Sequence, residues 1–122
     1  MNSYKELIAW QKAMELVTEV YKITTKLPTD EKFGVVSQMN RAAISIPSNI
    51  AEGWGRETSG SYLQFLRTSR GSLMELETLT LIVRDLNYIT DEQFERLNSR
   101  ITEAGKILQG LIKSMNQKIA NN

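Results

Sequence analysis

Chemistry has few places to start in this chain. Among 122 residues there is no histidine and no cysteine. That removes Ser-His-Asp triads, the usual zinc sites, Glu-x-x-His di-iron bundles, histidine-ligated haem and all thiolate chemistry. Carboxylates, arginines, lysines and hydroxyls remain. Glu75 and Glu77 lie two apart on a helical stretch and point to different faces, so they make a poor acid–base pair. Glu52 and Glu75 could meet across two helices, but no nucleophile, base or metal set accompanies them. The Gly53-Trp54-Gly55 segment lacks the lysine and spacing of a phosphate-binding loop. These residues predict no enzyme, no metal and no cofactor.

Binding chemistry is better represented. Arg41, Ser45, Asn49, Glu52 and Arg56 form a polar row at helical spacing. One reading is a polar site turned towards a partner. The other, which we favour, is an internal network that fixes helix pairing, since buried polar groups need partners. Glu75, Arg67 and Arg70 could supply them, and Arg41, Ser45, Asn49, Glu52 and Glu75 are its expected members. A second constellation is Trp54, Arg56, Tyr62, Phe65, Arg67 and Arg70, where aromatics alternate with arginines. Such residues stack on bases and bind phosphate. The plainer reading places Tyr62 and Phe65 in the core with the arginines solvated. From Ala104 onward, Lys106, Lys113 and Lys118 occur without an acid. Lysines also suit a helix C-terminus because they complement its dipole. Arg56, Arg67, Arg70, Lys106 and Lys113 are the candidate contacts for a partner or nucleic acid.

Four helices must position these residues. The first is predicted over Tyr4 to Leu27, with Leu7, Trp10, Met14, Val17 and Tyr21 as its seam and Pro28 as its stop. The second starts near Glu31 or Phe33, capped by Thr29 or Asp30, with Val36, Met39, Ala43, Ile46 and Ile50 as its stripe. Pro47 lies inside it and predicts a kink, with Ser45 and Ser48 placed to satisfy the freed groups. Gly53 and Gly55 are expected to end it in left-handed torsions. The third helix is predicted from Ser61 to Leu86, capped by Thr58 or Ser59. Its stripe is Tyr62, Leu66, Leu73, Leu76 and Val83, with Ser69 and Thr80 filling the gaps. Thr90-Asp91-Glu92-Gln93 reads as a capping box for the fourth helix. There Phe94, Leu97, Ile101, Ala104, Leu108, Leu111 and Met115 alternate spacings of three and four without a miss.

These stripes and short connections predict an all-α, antiparallel, up-down-up-down four-helix bundle forming a single domain over residues 1–122. The third and fourth helices carry more apolar rows than one core needs, which predicts an oligomer interface on them. Net charge is +1, too balanced to announce a nucleic-acid binder. The start of the chain lacks the apolar core of a signal peptide, and no apolar run is long enough to span a membrane, so a cytoplasmic protein is expected.

The run Arg41-Ala42-Ala43-Ile44-Ser45-Ile46-Pro47-Ser48-Asn49-Ile50-Ala51-Glu52-Gly53 closely resembles the signature of the bacterial four helix bundle protein family, also called the 23S rRNA intervening-sequence protein family. Tyr62-Leu63-Gln64-Phe65-Leu66, Arg70-Gly71-Ser72, Glu75-Leu76-Glu77-Thr78 and Leu86-Asn87-Tyr88-Ile89 extend the likeness over nearly the whole chain. Leu7-Ile8-Ala9-Trp10-Gln11 is like the family's opening, where a valine more usually precedes the tryptophan. Some members are encoded within insertions in large-subunit ribosomal RNA genes; most have no assigned activity. The family is similar to the accessory variability determinant of diversity-generating retroelements, a pentamer of four-helix bundles that associates with reverse transcriptase and nucleic acid. The resemblance therefore implies a homopentamer and, more distantly, a nucleic-acid-linked role with RNA or DNA as a partner. That protein is strongly basic and this chain is nearly neutral, so a protein partner without nucleic-acid contact stands as the alternative.

Overall fold

In the computed structural model, which describes residues 2–121, four helices follow one another: α1 (Ile8–Thr24), α2 (Val35–Trp54), α3 (Ser59–Asp85) and α4 (Asp91–Ala120). Each packs on its sequence neighbours, and α1 also packs on α4. Diagonal pairs do not approach. With short connections, this is an all-α antiparallel four-helix bundle.

Chain signals set most of the boundaries. Thr58 caps α3 by accepting from the Ser61 amide. Thr90 and Gln93 form the expected capping box at α4, with bonds of 3.0 and 2.8 Å. Other boundaries differ from expectation. Before α1, Tyr4–Glu6 is a separate 3₁₀ turn and Leu7 is extended. Thr29–Glu31 is likewise only a 3₁₀ turn, so neither Thr29 nor Asp30 caps α2, which begins after Gly34. Helix α2 continues through Pro47 without a break. Its end needs no left-handed glycine: Gly55 is right-handed, and the described residue with positive φ is Asn87, in the α3–α4 turn. Gly53 serves close packing instead. A Cβ there would stand 2.7 Å from Phe65 Cβ and 2.9 Å from Tyr62 Cδ1.

The core follows the expected stripes on three helices. Met39, Ala43, Ile46 and Ile50 of α2 are buried, while Val36 is only half-buried. On α3, Leu66, Leu73, Leu76 and Val83 are buried with Ser69 and Thr80 between them. The α4 stripe is buried except that Ile112 takes the place expected of Leu111. Helix α1 is the correction. Its buried apolar residues are Ala9, Ala13, Leu16, Val20 and Ile23. Of the expected seam only Leu7, just before α1, is buried: Met14 and Tyr21 are exposed, Trp10 and Val17 half-buried. Two interleaved stripes of the same period run along α1, and the one starting with alanines wins because small side chains let neighbouring helices approach closely.

Candidate interaction faces of the bundle

The order of packing gives the bundle four sides, each with a different chemistry. The α4–α1 side is closed by ion pairs: Arg96–Glu19 at 3.0 Å, Arg100–Glu15 at 3.4 Å and Lys12–Glu103 at 3.7 Å. Glu19 is buried, and its partner reaches it from solvent.

The α1–α2 side is apolar and unpaired. Val17, Tyr21 and Ile44 line a groove of about 600 Å³. It continues into a second hollow lined by Trp10, Met14, Pro47 and Ala51. Tyr4 meets Trp10 edge to face at 5.4 Å between ring centres. Exposed apolar side chains thus lie on α1 and α2 as well as on α3. On α3, Met74, Leu81 and Ile82 are also exposed, as is Leu86 just after it.

The α2–α3 side holds hydroxyls and an amide. Ser45 and Ser72 share a hydrogen bond of 2.8 Å between their hydroxyls. Asn49 Nδ2 donates to the carbonyl and the hydroxyl of Ser45, at 2.8 and 2.9 Å. Ser69 donates to the Ile46 carbonyl, next to Pro47, at 2.8 Å from a buried position. The network expected from the polar row is therefore smaller than its membership suggested. Ser45 and Asn49 belong to it, joined by Ser72. Arg41, Glu52 and Glu75 are exposed, and Glu52 only reaches Arg56 at 4.0 Å near solvent. Arg41 and Glu75 line one open cleft with Ser45 and Ser72 yet form no ion pair. Ser69 ties α3 to α2 beside Pro47 through the Ile46 carbonyl, which is not the Ala43 carbonyl that the proline frees; Ser48 is exposed. The signal for Ser69 is a polar residue where the α3 stripe requires an apolar one.

The α3–α4 side is basic. Arg70 donates to Gln109 at 2.9 Å and Arg67 to Asn116 at 3.4 Å, both across the helix pair. Lys106, Lys113 and Lys118 are exposed on the facing half of α4. None of these five forms an ion pair among the described residues. The stretches that face each other, Ser59 to Met74 and Ala104 to Ala120, hold no acid at all. Unpaired cations near solvent suit phosphate groups. Arg56 stands apart from this row: its guanidinium sits 4.6 Å above the Phe65 ring.

The aromatics flanking the α2–α3 connection are packed on one another. Trp54 and Tyr62 meet edge to face at 6.3 Å, both half-buried. The Tyr62 hydroxyl is buried without a partner, and burial pushes its pKa up. Phe65 lies under Arg56, so one of its faces is already taken by a guanidinium. No group of three or more acidic side chains among the described residues is placed to hold a metal ion. No described helix is long and apolar enough to cross a membrane.

Residues 5–110 match the family model described as 23S rRNA-intervening sequence protein. The chain belongs to that family. Among solved structures it is similar to a protein of unknown function from the S23 ribosomal protein family of Bacteroides thetaiotaomicron VPI-5482. The two share 26% identity with a TM-score of 0.81, over 87% of this chain and 99% of the other. A comparison with curated proteins gives no match.

Proposed function

We propose that this chain is a non-enzymatic, homo-oligomeric scaffold of the cytoplasm that joins nucleic acid or a ribonucleoprotein complex. The observation that carries the reading is the opposition of two sides. The apolar α1–α2 side lies across the bundle from the unpaired basic α3–α4 side. Self-association through the first repeats the second around the assembly, and repetition raises the avidity of a weak patch. A count of five subunits is supported by the resemblance to the retroelement protein. The lack of histidine and cysteine supports a role without catalysis. A protein partner without nucleic-acid contact is the second reading, favoured by the net charge of +1 and by the covered aromatics.

Light scattering of the purified protein, alone and with a mixed RNA and DNA pool, tests both readings. An oligomer that gains mass with nucleic acid at low salt and loses it at high salt is the expected result, since phosphate contacts weaken steeply with salt. An oligomer indifferent to nucleic acid selects the protein-partner reading.

A further inference from the structure

The basic α3–α4 side has an order that its charges alone do not show. On α4, Lys106, Gln109, Lys113 and Asn116 follow at spacings of three, four and three, so they stand in one row. Arg70 and Arg67 of α3 face that row, since Arg70 bonds Gln109 and Arg67 bonds Asn116. A guanidinium only donates, so each amide turns its oxygen to the arginine and keeps both N–H groups of its nitrogen for another partner. The strip therefore presents donors: two guanidinium groups, two ammonium groups and two amide nitrogens. Acids lie at its margins. Glu77 shares a hollow with Arg70 and Lys106 at one end, and Glu103 turns to Lys12 on α1. Lys118 lies off the row, beyond the other end.

From Lys106 to Asn116 the strip is about 15 Å long at 1.5 Å per residue, and a run of donors of that kind suits a regular polyanion. Two features select a double helix over a single strand. Neither Leu66 to Met74 nor Ala104 to Ala120 contains an aromatic residue. The strip thus has no ring for an unpaired base, and stacking is what single-strand sites add to charge. The side of two packed helices is also broad, about 20 Å for axes 8–10 Å apart, whereas a major groove about 12 Å wide admits one helix. Such a side lies across the phosphate ridges, where a duplex carries about one charge per 1.7 Å against one per 3.4 Å for a strand.

We infer that the α3–α4 strip seats the sugar–phosphate backbone of a double helix, with Gln109 and Asn116 donating to phosphate beside Arg67, Arg70, Lys106 and Lys113. Gln109 holds Arg70 at 2.9 Å, so part of the ordering of that long side chain precedes the ligand. Contacts of this kind position the backbone and do not read the base sequence. The inference rests on the nucleic-acid reading above and adds the form of the nucleic acid and two contact residues.

Fluorescence anisotropy of end-labelled duplex DNA, duplex RNA and their separate strands, titrated with the protein over a salt series, tests it. A duplex is expected to bind about tenfold or more tightly than its strands, which find no ring to stack on. Two duplexes of unrelated sequence bind alike, and the tighter of the DNA and RNA duplexes names the source of the backbone. Lys113→Gln, at an exposed site, makes the fall of log K with log salt shallower by about 0.9, the value of one phosphate contact on a duplex. Gln109→Glu puts an acid beside Arg70 and weakens duplex binding. Lys26→Gln, an equal loss of charge beyond the end of α1, leaves the slope unchanged. Strands bound as tightly as their duplex, or a slope that Lys26→Gln lowers as much as Lys113→Gln does, overturn the inference and leave nucleic-acid binding intact. No binding of any of the four probes overturns the nucleic-acid reading along with it. Should Lys113→Gln cost helicity by circular dichroism, Lys106→Gln removes a charge from the same row.

Discussion

Helices α1 and α4 carry stripes of the same period and use them in opposite ways. The unbroken run on α4 becomes core: Leu97 is 0% exposed and Leu108 2%. The bulkier run on α1, from Trp10 to Tyr21, faces outward with Ile44 of α2. A three-four spacing therefore identifies a face that wants cover, without saying whether the cover comes from within the chain. On α1 the inner face is the one with Ala9 and Ala13, and the outer face is left for something else.

That contrast can be broken by mutation. The largest effect is expected for Leu97→Ala, which opens a cavity in the core. It should cost about 2–5 kcal/mol in urea unfolding, whatever the state of assembly. Gly53→Ala comes next. Its new methyl would crowd Phe65 and Tyr62, so α2 and α3 must part, at about 1–3 kcal/mol in the same measurement. Met14→Lys should change the protomer's own stability by no more than about 0.5 kcal/mol, as a surface change does. It should nevertheless lower the assembled mass in light scattering. If Met14→Lys destabilised a dilute protomer as much as Leu97→Ala, the division of α1 into an inner and an outer face would fail.

Much of the fold was legible because α2, α3 and α4 each offer one dominant stripe, and because Thr58 and Thr90 mark helix starts. Even the polar residues Ser69 and Thr80 could be read as core from their place in the period. Helix α1 could not, since it offers two stripes and aromatic bulk points to the wrong one. The polar row on α2 was legible as a face but not as a set of bonds. Its spacing groups Arg41 and Glu52 with Ser45 and Asn49, yet only the two short side chains join Ser72. Long charged side chains extend to water, where their charge is solvated. The acid-free stretches of α3 and α4 were visible separately; that they lie side by side follows only from the antiparallel pairing.

Helix α4 has a further property that follows from its glycines and its burial pattern. A Cβ at Gly105 would come 3.3 Å from Leu73 Cδ2, and a Cβ at Gly110 would meet nothing within 4 Å. Each glycine weakens a helix by about 1 kcal/mol relative to alanine. Beyond Met115 no described residue is buried. Apart from the Arg67–Asn116 bond, the final turns are thus held mainly by their own backbone bonds, and their amides should exchange with solvent sooner than those of the α4 core. Lys118 rides on that segment and Lys113 borders it. Part of the basic side therefore rides on the segment of α4 that tertiary packing holds least.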